Sequence, residues 1–577
     1  MPIRRTLVAL ALNLALASTA SAAGAPAATA DTIFYGGPIV TVNPKQPQVT
    51  ALAIKGNTIV AVGDAATVMK RHKGADTKLV DLKGRTLMPG FVEPHVHIVL
   101  TSLIESFALD LSNFKLPYDT MDSLVERLRA QKAKVPEGGW IFAFGVDPAR
   151  TTPFMAELDA DLLDKVSTTN PIFVLNQSGH LAYVNHKALE VAGITNATPD
   201  PGNGGIYVKD AKGNLTGKLV EPPSYNAFLA KVTPPGKDAV AEAFRKTAGR
   251  ISAVGITTSA EITVGANFGL EPEYALIDTM AHQEGFPLRV RGYLYGPVVP
   301  AGFTKIKPND GDDIFRVVGV KFVADGSTQG LTAALTQPYQ YPAGTSNKGA
   351  LDYEDAELFK AAKPLYDQGW QLAIHANGDA TVNQALGIYA KLLANEKDPA
   401  SRRMRIEHFT VTSEAQVEQA AKLGVIPGMT IGHVDYWGEV FHDHILGPER
   451  GSRIDPTGSL VKRKARFALH SDSPVSPYGP LQYVATASSR LWQKPPRKVL
   501  GPDQRIAVDA AIKAVTLDAA YSMFVDDHVG SLEVGKWADF VILDGNPRRT
   551  DPDKIAAIKV VGTWLGGKPA YVAPAKP

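Results

Sequence analysis

The chain has no cysteine in 577 residues. Disulfides and a thiol nucleophile are therefore excluded, and any metal must be held by nitrogen and oxygen atoms. Net charge is nearly absent too, since 60 Lys and Arg against 58 Asp and Glu leave +2. With no basic run or aromatic-interleaved basic stripe, nothing points electrostatically to nucleic acid or to an anionic membrane surface. No G-x-S-x-G elbow occurs. Gly213 to Lys218 has one residue too few between its glycines for a phosphate loop, and no Ser or Thr follows the lysine. No solenoid-type repeat is evident.

Long apolar runs are also missing, except near the start. Arg4-Arg5 precede an apolar stretch from Thr6 to Ala17, followed by the small residues Ser18 to Ala23. The stretch falls short of the roughly 20 residues that span a bilayer. Its three-part pattern predicts a secretory signal peptide over 1–23 and a periplasmic or secreted protein. After leader removal no membrane association is expected, and homo-oligomer formation is left open.

An apolar fraction of 45% and a charged fraction of 20% are ordinary for a globular protein. The length calls for more than one packing unit. From 31 to 88 the pattern is β-like, with a hairpin signal at Lys55-Gly56-Asn57 between two apolar runs. The texture returns over 526–577, in Val529 to Asp544 and Val560 to Leu565. Each terminal segment is too small to bury a core alone, so the two are expected to pair into one small β-sandwich.

From 89 to 525, apolar strand-like runs alternate with helical patterns such as Asp355 to Gln368 and Ser413 to Leu423. Alternating β and α predicts a parallel sheet buried on both faces. Counting the run that ends at His95 and His97 gives eight strands, which suits a (β/α)8 TIM barrel. The first gap is far too long for one crossover and reads as an insertion, about 105–245, lying over the barrel mouth.

The candidate site residues come from the strand ends. Leu87 to His97 reads as a short strand broken by Pro-Gly, in which His95 and His97 at i and i+2 would face one point. Functional residues of such barrels lie at the C-terminal ends of strands. Those ends carry His95 and His97 on the first strand, Lys321 on the fourth, His375 on the fifth, His408 on the sixth and Asp472 on the eighth. All six could converge on one mouth.

These motifs resemble the amidohydrolase superfamily. Pro89-Gly90-Phe91-Val92-Glu93-Pro94-His95-Val96-His97 is similar to its opening motif, with Glu93 where the family usually has Asp. Val534-Gly535-Lys536-Trp537-Ala538-Asp539-Phe540 resembles its closing strand. Lys321 to Ser327, Ile374 to Asp379, Arg405 to His408, Ser471 to Val475 and the insertion's Asn176 to Asn185 look like the YtcJ-type subgroup (amidohydrolase family 3), which includes N-substituted formamide deformylases. The resemblance implies a site for two divalent metals, expected to be zinc. His95 and His97 would bind one ion, His375 and His408 the other. Lys321, carboxylated, would bridge them, and Asp472 would be both ligand and general base. A lysine ammonium has no lone pair, so Lys321 serves only once neutralised or converted to a carbamate.

The implied activity is hydrolysis of a C–N bond, amide or formamide, in a small-molecule substrate. Hydrolysis of a carbamate, lactone or dipeptide is the alternative, and a non-catalytic binding protein on the same scaffold is a third reading. Lys321 has a plainer reading as a buried lysine paired with Asp325, which would leave a single-metal site. His180 reads as a substrate contact or a loop histidine. Glu221 is a lid or pocket candidate, and His433 near the seventh strand end faces substrate or packs. His442 and His444 repeat the i, i+2 spacing in what reads as a solvated loop. His72, His186, His282 and His528 have no expected chemistry.

Overall fold

The computed structural model of the chain describes residues 28–574 apart from 203 and 301; the expected leader, 1–23, lies outside the described residues. No helix among the described residues is long and apolar enough to cross a membrane.

Eight parallel strands form a nearly closed barrel: β1 (Phe91–Glu93), β2 (Ile256–Val264), β3 (Arg289–Tyr295), β4 (Phe315–Val323), β5 (Gln371–Ala376), β6 (Arg405–His408), β7 (Ile426–Thr430) and β8 (Ala468–His470). They are hydrogen-bonded in chain order from β1 to β8. All eight expected runs are strands of this sheet, and the fold class read from the sequence is the one observed. The strands are buried along nearly their whole length, as a sheet covered on both faces must be.

The first strand departs from expectation. It stops at Glu93 because Pro94 has no N–H for the ladder, so His95 and His97 sit on the turn beyond it. Between β1 and β8 the seam is tied by side chain and turn. Glu93 Oε1 accepts from Ser471 N at 3.1 Å and its Oε2 from Tyr483 Oη at 2.9 Å. Asp472 N and His97 N then donate to His95 O and Ser473 O at 3.2 and 3.0 Å. Glu93, the departure from the family pattern, thus holds the barrel's closing seam.

The terminal strands form one eight-stranded sheet in which Phe540–Leu543 pairs antiparallel with Thr86–Pro89. The sheet curls until Ile59 N meets Lys536 O at 2.9 Å and Ala538 N meets Asn57 O at 2.7 Å. Phe34, Leu52, Leu87, Phe540 and Ile542 fill the enclosed core, the expected sandwich. The insertion carries its own six-stranded sheet, from Leu109–Asp110 to Leu215–Val220. It packs over the strand ends: Gln177 Nε2 donates to Pro474 O and Val475 O at 2.9 Å.

Asp539 of the closing motif clamps sandwich to barrel. Its carboxylate accepts from Arg289 Nε at 2.6 Å and from Gly566 N at 2.6 Å, and Arg289 lies over the Trp537 ring at 3.9 Å. Arg289 and Asp539 are both 3% exposed. Breaking such a buried pair by removing one charge costs about 3–5 kcal/mol. Asp539→Asn is therefore expected to lower unfolding stability by about that amount while activity per folded molecule is kept, as a denaturant titration paired with an active-fraction assay would show.

Candidate metal centre

The sequence of β6 builds the foundation of the site. Arg405 and Glu407 alternate onto one side of the strand and both are essentially unexposed. Arg405 Nε meets Glu407 Oε1 at 2.8 Å, and Arg405 also donates to Tyr293 Oη at 2.8 Å and Pro94 O at 3.0 Å. Burial works against the Glu407 carboxylate, but the Arg405 guanidinium and His95 hold it well below the usual carboxylate range. An ionised Glu407 only accepts, so its 2.6 Å contact to His95 Nδ1 puts the imidazole proton there. The lone pair of His95 is then on Nε2.

That lone pair faces Asp472 Oδ1 at 3.1 Å, and His97 Nε2 lies 3.2 Å from the same oxygen. Burial opposes ionisation of Asp472, and positive charge at the His95 and His408 positions draws it well below the usual carboxylate range; with those imidazoles neutral, a bound cation would supply that charge. Two acceptors therefore stand face to face, and both atoms are buried without a hydrogen-bond partner. A cation between them resolves that juxtaposition. His95, His97 and Asp472 bring their ligand atoms within 4.8 Å of one another, so the donor set fits a divalent ion with N and O preference.

The other expected ligands surround this trio. The His408 ring is 5.0 Å from that of His95 and 4.3 Å from that of His375. His408 Nδ1 pairs with Thr430 Oγ1 at 2.9 Å, which leaves Nε2 for a ligand. His375 Nε2 is taken by Gly326 O at 3.1 Å, which leaves Nδ1. Burial lowers the pKa of both rings, so they are neutral imidazoles. Among the described residues no third His, Asp or Glu atom joins these two within reach of one ion.

Lys321 is 1% exposed, and burial lowers its amine to about 8. Its plainer reading, a pair with Asp325, does not form among the described residues. Asp325 instead accepts from Ala334 N, Asn377 N, Gly378 N and Thr381 Oγ1 at 2.7 to 3.0 Å. A buried amine with reduced proton affinity and no carboxylate pair suits carbamate formation.

Backbone strain gathers at the same place. His408 and Asp472 have φ of 72° and 59°, left-handed values that non-glycine residues hold only when the surroundings impose them.

His180 and Glu221 are brought to the edge of this cluster. His180 Nδ1 meets Glu221 Oε2 at 2.7 Å, and its ring lies 5.0 Å from that of His375. His433 is buried against Trp437 and Phe441 and reaches His375 only through Thr410 and Asn377. His442 and His444 occupy a helical turn, Phe441–Ile445, and not the expected loop. Sequence reasoning passed over Glu407, Thr263 and His470. An acid one residue before a strand-end histidine and two after an arginine was the available signal for Glu407. Thr263 Oγ1 pairs with His97 Nδ1 at 2.9 Å. His470 stacks on His95 at 4.4 Å with neither ring nitrogen partnered.

The comparisons agree with this architecture. A model described as "Amidohydrolase family" matches residues 78–571. The chain belongs to the amidohydrolase family. Over 558 residues it is 29% identical to the protein LONG AFTER FAR-RED 3 of Arabidopsis thaliana, covering 94% of this chain and 92% of that one. It is 25% identical over 561 residues to an N-substituted formamide deformylase of Arthrobacter pascens, covering 94% and 98%. The fold is similar to that of an uncharacterized metal-dependent hydrolase from Pyrococcus horikoshii, with a TM-score of 0.69, 22% identity and coverage of 90% and 99%. The family resemblance read from the motifs is borne out.

Partners that fix the tautomer of a ligating histidine typically change metal affinity 10–100-fold when removed. Glu407→Gln is expected to weaken metal binding by about that factor, as measured by competition against a chromophoric chelator. An unchanged affinity would remove Glu407 from the orienting role.

Proposed function

We propose that the protein is a metal-dependent hydrolase that cleaves a C–N bond of amide or formamide type, with Asp472 moving the proton. The face-to-face approach of His95 Nε2 and Asp472 Oδ1 at 3.1 Å carries this reading. His95, His97 and Asp472 would hold one ion, His375 and His408 a second, with Lys321 as its carbamate between them. Divalent ions, taken as zinc, would supply an acidified water and a polarised substrate carbonyl when bound.

The chain's own residues supply the rest. Glu407 and Thr263 fix the His95 and His97 rings with Nε2 inward, and Thr430 does the same for His408. Asp472 is an ionised carboxylate at the centre of the cluster. It is suited to accept a proton from the attacking water and return it to the departing nitrogen, so that amide and water become acid and amine. Burial of the cluster by the insertion keeps bulk water from competing for these groups. The N-substituted formamide deformylase relative supports a small amide as substrate. The leader-like N-terminus supports action outside the cytoplasm.

Proton transfer of this kind contributes about 10²–10⁴-fold. Asp472→Asn is expected to retain most of the bound metal and lose turnover by about that factor. Elemental analysis and initial rates on the same sample would check it, and unchanged turnover would overturn the assignment. Chelation should abolish activity in the unmodified protein, and zinc should restore it. Less than one equivalent of metal after chelator-free purification would favour a binding protein instead.

A further inference from the structure

Beside the histidine cluster, between the insertion and the segment after β4, lies a cavity of about 400 Å³. That volume suits a small organic group. Leu181, Ile206, Val220 and Leu331 form an aliphatic wall, and Glu221, Gln329 and Asp352 provide polar groups.

What the polar groups offer is one-sided. Glu221 Oε1 and Gln329 Oε1 are buried without a hydrogen-bond partner, in residues 4% and 3% exposed. His180 commits its Nδ1 to the other Glu221 oxygen. The one lysine of the lining, Lys218, is held by Glu157 at 2.6 Å. Burial and the facing Glu221 push the Asp352 carboxyl up to about 8, with His180 the one counter-charge facing the two acids. The unpartnered buried atoms of the lining, Glu221 Oε1 and Gln329 Oε1, are acceptors, and two carboxyls share one imidazole, so a cationic donor is the group that complements them.

Bare backbone keeps the space open. A Cβ on Gly326 would stand 2.5 Å from Glu221 Oε1, and one on Gly204 2.7 Å from Asp352 Oδ1. Glu221 itself holds φ 56° and ψ 150°, a conformation that costs about 1–3 kcal/mol in a non-glycine residue. Among the described residues no metal-binding trio includes His180, Glu221 or Asp352.

We propose that this cavity is the specificity subsite of the hydrolase and receives an N-substituent ending in an ammonium group. The aliphatic spacer lies along Leu181, Ile206, Val220 and Leu331, and the N–H donors meet Glu221, Asp352 and Gln329. This rests on the reaction put forward above, because His180 links the cavity to the reacting centre through His375.

Three length-matched formamides test it on the zinc-loaded protein: N-(5-aminopentyl)formamide, N-hexylformamide and 6-formamidohexanoate. The expected kcat/KM is about tenfold or more higher for the ammonium compound than for the hexyl compound, with the carboxylate slowest. Asp352→Asn should collapse the ammonium-to-hexyl ratio. Calorimetry with hexylamine and hexan-1-ol provides a readout independent of turnover and of the variant's folding, and hexylamine should bind more tightly. Preference for the hexyl or carboxylate formamide, or equal affinity for amine and alcohol, overturns the subsite. Selective hexylamine binding with no formamide hydrolysed overturns the reaction and leaves the cationic subsite standing.

Discussion

The site depends on one buried charge relay, Arg405 to Glu407 to His95. An ion pair inside a barrel is expensive to desolvate and is weak evidence of stabilisation by itself. Its effect here is directional. Arg405 keeps Glu407 ionised, Glu407 fixes the His95 proton on Nδ1, and the Nε2 lone pair is left facing the Asp472 carboxylate. Two acceptors held at that distance make a cation part of the stable arrangement. Tyr293, Gln371 and Pro94 O complete the support from neighbouring strands, so the geometry belongs to the barrel and not to one loop.

The rest of the fold serves to keep that centre rigid and covered. Glu93 ties the seam where the β1–β8 ladder is missing, which fixes the turns that carry His95, His97 and Asp472. Asp539 locks the sandwich to the base of β3 through Arg289. The insertion places His180 and Glu221 at the opposite edge of the cluster, where an acceptor-rich cavity opens. The histidine cluster and the acceptor-rich cavity thereby lie in different parts of the chain: strand ends for the first, insertion and β4 loop for the second.

Much of this was legible beforehand because it follows from period and position. Apolar runs alternating with helical patterns specify a parallel barrel, and its chemistry collects at strand ends, so His95, His97, Lys321, His375, His408 and Asp472 stood out as candidates. The i, i+2 argument for His95 and His97 named two side chains that the structure does bring together, but for an incomplete reason. Pro94 ends the strand before them, and they meet through a turn docked on Ser473 O. Glu407 stayed unremarked beside His408 because an acid in a buried strand acquires meaning only when its partner, Arg405 or His95, is seen in space.

The sequence by itself determined the eight-stranded order, the pairing of the two termini, the N/O character of any metal site and the set of strand-end donors, since these follow from local periodicity and side-chain chemistry. Only the tertiary structure decided which lone pairs face each other, that Asp325 is engaged elsewhere and leaves Lys321 without a carboxylate pair, and that Glu221 and Gln329 turn unpaired oxygens, beside the Asp352 carboxyl, into one cavity. Those outcomes depend on contacts between residues far apart in the chain, whose distances and orientations are set by packing.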